Sequence, residues 1–559
     1  MPGSDFSFTL MARPDHSPNG ESSRSPAEWN FADVWEAVAT AAPTAPAQVH
    51  GARRCDYAAF SRRADGIAAR LLAAGLERHD KVALYLYNTP EYLETAFAAM
   101  KAALVPVNTN YRYRDDELHY LWDNADVAAV VFDKAFTPHV DALRERCARV
   151  KVWIQVGRES DRCPTWAVRY EDASGSAGAT VVPPWGRSGD DPILIYTGGT
   201  TGRPKGVIWR QHDLYMASNT TDDPPLADSD HVRTRVRAAT RRPVGLPAAP
   251  LMHGTGFVFA ATILNRGGTL VTLPEHKFDA TRLLEAIVDE QVTDLCIVGD
   301  AFCRPIVDVL DAAPGKYDLS ALKVVSSSGM MWSSEVKARL LVRAPNVMLI
   351  DFLNSSEASG MGRSITSSSK SAAGARFQLG KNAFVIDDEG KPIAPGDGRV
   401  GRVAVRGIVP LGYYKDPEKT AATFPVVDGV RCAVPGDYAT VEADGTITLL
   451  GRGSVSINTG GEKVFPEEVE EAIKTLPGVE DAVVVGVPDA RLGQVVAALV
   501  VASRVDEEAI KSHVRQKLAG YKTPRHVMFV DSVERAATGK ADYKAVMARM
   551  ADWLAQRGA

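Results

Sequence analysis

A loop rich in glycine and threonine is the part of this sequence whose residue types are best suited to binding phosphate. It reads Thr197, Gly198, Gly199, Thr200, Thr201 and Gly202, and Lys205 follows closely. Such a loop offers many N–H and O–H donors, and the lysine adds a positive charge. The spacing differs from the common P-loop, because Arg203 and Pro204 follow Gly202. The segment predicts a phosphate site, and a plain surface loop is the alternative.

The elements around the loop predict an α/β protein. The apolar run Ile193–Tyr196 leads into the loop and is typical of a strand. Earlier strand patterns at 82–87, 104–107 and 128–132 alternate with helical patterns, and Thr89-Pro90-Glu91 is a helix-start signal. Because strands that alternate with helices usually pair in parallel, we expect a parallel α/β sheet here. The same alternation resumes after residue 240.

The changes of pattern along the chain indicate domain boundaries. We predict a loose leader at 1–28, an N-terminal body at 29–451, and a mobile α+β domain at 452–559. The body should contain stacked α/β subdomains plus a small β-rich subdomain, since short strand patterns dominate from Gly398 onward. The polar stretch Thr220–Arg242 lacks an apparent apolar period and is interpreted as a surface insertion.

Composition excludes several classes of protein. Lys plus Arg total 64 against 69 for Asp plus Glu among 559 residues, a net charge of −5, which argues against nucleic acid as a partner. No apolar run reaches the roughly 18 residues that a membrane span needs, and the start lacks a secretory apolar segment. The six cysteines have neither metal-site nor disulfide spacing. We therefore expect a cytoplasmic protein with scattered, reduced cysteines.

Further motifs follow the loop in a fixed order. They are Pro250–Gly256, Ser326–Met330, Asp351–Glu357, Gly436-Asp437, Leu450–Arg452, Thr459–Glu470 and Thr538–Lys540. Together with the loop, they resemble the signatures of the adenylate-forming superfamily, which includes acyl-CoA synthetases, nonribosomal adenylation domains and luciferases. The match covers about residues 30–545. The residues within the motifs are most similar to those of fatty-acyl and steroid-side-chain acyl-CoA ligases.

The resemblance implies ATP, Mg²⁺ and coenzyme A as cofactors or co-substrates, and it assigns roles to residues. The implied catalytic residues are Lys540, Glu357 and His253, and the implied metal ligands are Glu357 and Thr201. The implied cofactor-binding residues are the six residues Thr197–Gly202, together with Lys205, Ser328, Gly329, Asp351, Ser356, Asp437, Arg452, Gly460, Gly461 and Lys463. In relatives, the histidine lines the acid pocket, the aspartate matching Asp437 holds the ribose, and the lysine matching Lys540 enters the site during the first half-reaction.

Some positions depart from the family pattern. Gly198 replaces a serine in the loop, and Ser454 stands where the family has its charged hinge residue. Leu353 replaces the aromatic residue that stacks on adenine, Asn354 replaces a glycine, and Ser356 replaces a threonine. The departures put adenine stacking in doubt and add a polar amide near the expected pocket.

The function implied is ATP-dependent activation of an acid as an acyl-adenylate, followed by thioester formation with coenzyme A. The substrate would be a hydrophobic carboxylate, fatty or polycyclic. One alternative is a ligase of secondary metabolism with an acceptor other than coenzyme A, such as an amine, or one that activates nitrite to diazotise an aryl amine. Another is a non-catalytic relative that only binds nucleotide. The sequence predicts no oligomeric state.

Overall fold

The computed structural model of the chain describes residues 29–557, apart from 114, 176–177, 198–203, 220–227, 331, 370–375, 453–456, 460–461, 490–491, 519, 534 and 536–540. The leader predicted at 1–28 lies outside the described residues. Within them, helices and strands alternate along most of the chain.

The helices are α1 (Phe31–Ala41), α2 (Tyr57–Ala73), α3 (Pro90–Lys101), α4 (Asp115–Asn124), α5 (Thr137–Leu143), α6 (Tyr170–Ser174), α7 (Gln211–Ser218), α8 (Ser229–Ala238), α9 (Gly254–Asn265), α10 (Ala280–Asp289), α11 (Gly299–Ala312), α12 (Ser334–Arg343), α13 (Pro417–Thr423), α14 (Pro466–Lys474), α15 (Glu507–Lys517) and α16 (Tyr543–Gln556).

The strands are β1 (Pro46–His50), β2 (Arg53–Asp56), β3 (Lys81–Tyr85), β4 (Val105–Asn108), β5 (Val127–Asp133), β6 (Val152–Val156), β7 (Val168–Arg169), β8 (Pro192–Thr197), β9 (Lys205–Arg210), β10 (Val244–Pro247), β11 (Thr269–Thr272), β12 (Asp294–Ile297), β13 (Val324–Ser328), β14 (Met348–Ser355), β15 (Ala358–Thr366), β16 (Arg376–Leu379), β17 (Ala383–Ile386), β18 (Val400–Arg406), β19 (Gly412–Tyr413), β20 (Val426–Val427), β21 (Val430–Ala433), β22 (Asp437–Val441), β23 (Thr446–Arg452), β24 (Ile457–Thr459), β25 (Glu462–Val464), β26 (Val479–Asp489), β27 (Gly493–Ala502) and β28 (His526–Phe529).

The first sheet has eight strands in the order β19-β9-β8-β4-β3-β5-β6-β7. The section from β8 through β4, β3 and β5 to β7 is parallel, as the alternation of strands and helices predicts. Thr89 and Pro90 start helix α3 between β3 and β4, with the proline in its first turn. The two strands at the other edge, β9 and β19, pair antiparallel.

The second sheet combines a parallel α/β section with the β-rich section. Strands β1 and β10–β14 pair in parallel, apart from the antiparallel edge strand β2. From β15 onward the pairing is antiparallel, and β16 joins β23 and thereby connects the β-rich strands to the same sheet. The β-rich subdomain therefore extends a large mixed sheet, and the predicted α/β class is confirmed.

The largest hydrophobic core packs helices α1, α2, α3 and α9 between strands of these two sheets. Trp35, Phe60 and Phe97 are fully buried in it, and the rings of Phe60 and Phe97 lie 5.0 Å apart. The Trp35 indole donates to Asn265 Oδ1 at 2.8 Å, which satisfies the one polar group that this ring buries.

The third sheet contains β25-β24-β27-β26, with β28 beside β27. Val484 faces a core shared with α14 and α15, whereas its neighbours Val483 and Val485 face a core shared with α16. Alternate residues of a strand point to opposite faces, so this sheet has helices on both sides. It is the α+β unit expected at the end of the chain.

One interpretation of the sequence is wrong. The stretch Thr220–Arg242 contains helix α8, which Asp228 caps by accepting a hydrogen bond from the His231 N–H at 2.8 Å. Val232 and Val236 are buried against the main core, and α8 packs on α1. These valines are four residues apart, so they lie on the same face of the helix. The arginines between and around them hide this apolar spacing in the sequence.

All six cysteines lie within the described residues, and none is paired in a disulfide. Burial raises the pKa of the Cys296 thiol to about 12, which keeps it protonated and unreactive near neutral pH. No helix of the described residues is both long enough and apolar enough to cross a bilayer.

Candidate active site

Strands β8 and β9 fix the two ends of the predicted phosphate loop. Thr197 lies directly opposite Lys205 in their antiparallel ladder. The loop residues Gly198, Gly199, Thr200, Thr201 and Gly202 lie outside the described residues. Next to Lys205, Gly206 lies against the ring of Tyr196, where an added Cβ would come within 2.7 Å of ring carbon Cε2. The base of the loop is therefore closely packed.

Lys205 is held at the mouth of the loop. Its Nζ lies 2.5 Å from Asp416 Oδ2 and 5.8 Å from the centre of the Tyr413 ring. The hydrogen bond from Lys205 lowers the pKa of the Asp416 carboxyl. The other oxygen of Asp416 accepts from the Lys419 N–H at 2.9 Å and caps helix α13. The Lys205 ammonium group is thus held by Asp416, and the helix cap holds Asp416 in place.

Glu357 lies in the turn between β14 and β15. Its Oε1 accepts a hydrogen bond from the Tyr413 hydroxyl at 2.7 Å. The neighbouring carbonyl of Ser356 accepts from the Trp209 indole at 2.8 Å, and Trp209 belongs to β9. The predicted metal-binding carboxylate and the predicted phosphate-binding lysine therefore contact the same tyrosine, the carboxylate at its hydroxyl and the lysine at its ring.

The two unusual residues before this turn have structural contacts. Leu353 is buried in the main core and lies opposite Gly362 in the ladder with β15. The Asn354 Oδ1 accepts from the Gly360 N–H at 2.7 Å and closes the turn. These contacts explain why an amide is accommodated at residue 354.

His253 begins the second part of the site, at the N-terminus of α9. It is half-buried and lines a cavity of about 20 Å³, room for about one water molecule. The other residues lining this cavity are apolar except for one amide; they include Leu84, Tyr92, Leu251 and Phe257.

Asn108, at the end of β4, connects the phosphate loop to the histidine segment. Its Oδ1 accepts from the Tyr196 N–H at 2.6 Å, and its Nδ2 donates to the carbonyls of Tyr196 at 2.9 Å and Met252 at 2.6 Å. Tyr196 precedes Thr197, and Met252 precedes His253. One amide therefore holds both segments at the carboxyl end of the first sheet.

Ser328 and Gly329 lie at the end of β13. Ser328 is buried, and Gly329 has φ +92°, a conformation that favours glycine. A Cβ at Gly329 would lie 3.9 Å from Thr255 Oγ1, so this turn faces the first turn of α9. The structure thus places the serine-glycine turn next to the His253 segment.

Asp351 has a different environment from the other predicted residues. It is buried in β14, and its Oδ2 lies 3.2 Å from the Nζ of Lys337, which is itself buried on α12. Burial raises the pKa of the Asp351 carboxyl to about 6, although Lys337 opposes this shift. Its described contacts are those of a buried ion pair.

The remaining predicted residues lie near the end of the β-rich section or beyond it. Asp437 is buried at the start of β22, with its backbone opposite that of Arg452 in β23. The backbone of Lys463 pairs with that of Asn458 in the third sheet. Gly460, Gly461 and Lys540 lie outside the described residues, as does the departure at Ser454.

Sequence reasoning missed Asn108, Tyr413 and Asp416. Two signals pointed to them: Asn108 directly follows a predicted strand, and ligands of α/β sheets bind at the carboxyl ends of strands. Asp416 precedes Pro417, which is the signature of a helix start. The hydrogen bond of Tyr413 to a residue 56 positions away had no local signal.

Comparison with known proteins identifies the family of the chain. The AMP-binding enzyme family matches residues 35–414, and the AMP-binding enzyme C-terminal domain matches residues 468–540. A medium/long-chain-fatty-acid–CoA/3-oxocholest-4-en-26-oate–CoA ligase of Mycolicibacterium smegmatis is 40% identical over 530 residues, covering 92% of this chain and 95% of the relative. A 3-oxocholest-4-en-26-oate–CoA ligase of Rhodococcus rhodochrous is 39% identical over 530 residues, with the same coverage of 92% and 95%.

Solved structures share the architecture. The anthranilate CoA ligase AuaEII in complex with anthranoyl-AMP has a TM-score of 0.81 at 21% identity, covering 95% of this chain and 99% of that one. ATP-bound MatB from Rhodopseudomonas palustris has a TM-score of 0.76 at 25% identity, covering 94% and 99%. The chain therefore belongs to the AMP-binding enzyme family and carries that family's C-terminal domain.

Proposed function

We propose that this chain is an AMP-forming acyl-CoA ligase that uses ATP to activate a hydrophobic carboxylate, fatty or polycyclic. The observation that carries the proposal is that Lys205, which follows the loop segment in sequence, and Glu357 both contact Tyr413. A cation and a carboxylate that contact the same side chain are the kinds of group that bind a nucleoside triphosphate and its metal ion. The ligases of fatty acids and 3-oxocholest-4-en-26-oate to which the chain is similar support this class of acid.

In the first step, an oxygen of the acid attacks the α-phosphorus of ATP, the bond to the β-phosphate breaks, and pyrophosphate leaves. Lys205 and the donors of the loop would neutralise the departing phosphates, and Lys540 would sit where negative charge develops at the α-phosphate. Such a transfer depends mainly on positioning and charge stabilisation. His253, Ser328 and Gly329 would line the acid and adenine side of the same site.

The donor set around Glu357 fits Mg²⁺. The ion prefers carboxylate and phosphate oxygens and is usually bound through one or two carboxylates plus the phosphates of the substrate. Glu357 would hold Mg²⁺ with help from Thr201. The bound ion would supply positive charge to the phosphate oxygens.

In the second step, the thiol of coenzyme A attacks the acyl carbonyl, the thiol proton is lost, and AMP leaves. We propose that a C-terminal domain at 452–559 rotates about the segment after Gly451, which withdraws Lys540 and brings Gly460 and Gly461 to the site. A hinged arrangement suits two half-reactions that share one site. Lys463 would then contribute to the same surface.

The other cofactor-binding assignments are proposals on the same footing. Asp437 would accept the two ribose hydroxyls, and Arg452 would reach the ribose or phosphate. Ser356 lies beside Glu357 in the same turn, and Asp351 would act from the buried face of β14. The small-molecule acid, ATP and coenzyme A would meet in the cytoplasm.

The test is direct identification of products. Purified protein with Mg²⁺, ATP and coenzyme A should convert medium- or long-chain fatty acids, or a steroid-side-chain acid, to acyl-CoA and AMP in equal amounts. A parallel reaction with nitrite and an aryl amine tests the alternative acceptor. AMP formed only in that second reaction would contradict the proposal, as would binding of ATP without AMP from any acid.

A further inference from the structure

We propose that Tyr413 is a positioning residue of this site: its hydroxyl orients the Glu357 carboxylate for Mg²⁺ while its ring lies beneath the ammonium group of Lys205. The inference rests on the proposed function. The hydroxyl donates to Glu357 Oε1 at 2.7 Å, and the ring centre is 5.8 Å from Lys205 Nζ. The second distance is within the range of a cation–π contact.

Tyr413 is rigidly mounted. Strand β19 pairs antiparallel with β9, which places Tyr413 opposite Val207, two residues beyond Lys205. The Tyr413 N–H donates to Thr420 Oγ1 at 2.9 Å, and its ring packs 5.8 Å from that of Phe424. The residue is buried, so its side chain has little freedom to leave this position.

Further hydrogen bonds hold the backbone on both sides of Tyr413. Arg431 donates to the carbonyls of Pro410 and Leu411, at 2.5 and 2.8 Å, which anchors the chain entering β19. The Tyr414 N–H donates to the Gly206 carbonyl at 2.8 Å. Tyr413 is therefore fixed to the same strand that carries Lys205, while Glu357 comes from the second sheet.

A hydroxyl on one oxygen of a carboxylate fixes the direction of the whole group. Neighbours that hydrogen-bond a metal-binding side chain in this way typically change metal affinity or activity 10- to 100-fold when they are removed. Tyr413 contacts the carboxylate through its hydroxyl and the ammonium group through its ring. A Mg²⁺–triphosphate complex bound by both groups would therefore lie beside this side chain.

The test uses Tyr413→Phe, which keeps the ring against Phe424 and removes only the hydroxyl. The matched control is Tyr414→Phe, because the neighbouring hydroxyl donates to Asp126 Oδ2 at 2.7 Å, away from Glu357. Calorimetry of ATP binding, without acid, is carried out over a series of Mg²⁺ concentrations. We expect Tyr413→Phe to raise the half-saturating Mg²⁺ concentration about tenfold, and Tyr414→Phe to leave it within about twofold. Equal Mg²⁺ dependence in the two variants would overturn the inference.

A double-mutant cycle with Glu357→Gln gives the second measurement. If Tyr413 acts through Glu357, the tyrosine substitution should add less than about twofold once the carboxylate is gone. Full additivity would mean that Tyr413 acts elsewhere and would also overturn the inference.

Failure of the proposed function has a separate signature. A wild-type protein that binds Mg²⁺ and ATP but makes no AMP would refute the ligase and leave the binding results to judge Tyr413. An active wild type with unchanged Mg²⁺ dependence in Tyr413→Phe would refute only the positioning role.

Discussion

Replacing Asn108 with alanine should damage both the fold and the site, because this one amide joins two functional segments. The substitution removes three hydrogen bonds, to the N–H and carbonyl of Tyr196 and to the carbonyl of Met252. A hydrogen bond contributes about 1 kcal/mol net, and a buried group left unpaired costs about 1–3 kcal/mol. We expect a loss of about 3 kcal/mol in the stability of the first sheet, and a fall of about 10- to 100-fold in kcat/KM for ATP, since small displacements of reacting groups are expensive.

Urea unfolding followed by tryptophan fluorescence and steady-state kinetics with varied ATP measure the two effects. The matched control is Asn110→Ala, because the described side-chain hydrogen bonds of Asn110 go to the exposed Arg112 N–H, at 3.0 Å, and to Tyr113. The reasoning is refuted if Asn108→Ala has the same unfolding midpoint and the same kcat/KM as this control.

A second variant, Asn108→Asp, gives the effect a pH dependence of known sign. It keeps the acceptor for the Tyr196 N–H but directs a carboxylate oxygen at two carbonyls. That environment favours the protonated acid and should raise the pKa of the new group in the folded state. The variant should therefore be most stable below the unfolded value of about 4 and lose stability as pH rises through the folded pKa.

Three further predictions concern other parts of the chain. Lys540→Ala should block adenylate formation, at a cost of about 10²–10³ in rate, and leave thioesterification of a supplied acyl-adenylate largely intact; exchange of pyrophosphate into ATP at the wild-type rate would contradict this. Burial raises the pKa of Asp481, but the two-pronged contact with Arg535 at 2.7 and 2.8 Å and the nearby Lys474 at 3.2 Å lower it to about 2. The carboxylate therefore stabilises the fold above about pH 4, and this contribution is lost as pH falls towards 2. Because Lys474 remains, Arg535→Ala should remove part of this acid dependence and cost about 1–2 kcal/mol at neutral pH, and an unchanged acid profile would count against the pair. Gly206→Ala should place a methyl group against the Tyr196 ring and destabilise the protein by about 1–3 kcal/mol in denaturant unfolding, whereas unchanged stability would show that the ring can move.

The sequence predicted what local patterns determine and missed what distant pairing determines. Pro90 and the apolar runs marked helix α3 and the parallel strands, because helix starts and buried strands have short-range signals. Val232 was missed because only two valines mark the buried face of α8. Asn108 and Tyr413 bind partners 88 and 56 residues away. The pairing of β4 with β8 brings Asn108 to Tyr196, whereas Tyr413 in the first sheet contacts Glu357 in a turn of the second sheet. Asn354 is predicted to add a polar amide near the pocket, and no sequence signal indicated that its amide oxygen also closes a turn.

The predicted roles of the motif residues have different structural support. Lys205 and Glu357 come from different sheets and meet on one side chain, an arrangement that the order of the motifs alone does not require. Asp351 pairs with Lys337 in the interior, so its predicted role in cofactor binding would need that ion pair to persist beside the nucleotide. Substituting Asp351 would leave Lys337 buried without this partner and should destabilise the fold. The stability of such a variant should therefore be measured before its activity is interpreted.

Acid-dependent exchange of labelled pyrophosphate into ATP, measured with Mg²⁺ and without coenzyme A, tests the formation of an acyl-adenylate most directly. We predict exchange with medium- or long-chain fatty acids or with a steroid-side-chain acid, and none when the acid is omitted. Absence of exchange with every carboxylate, in a preparation that binds ATP, would contradict the account.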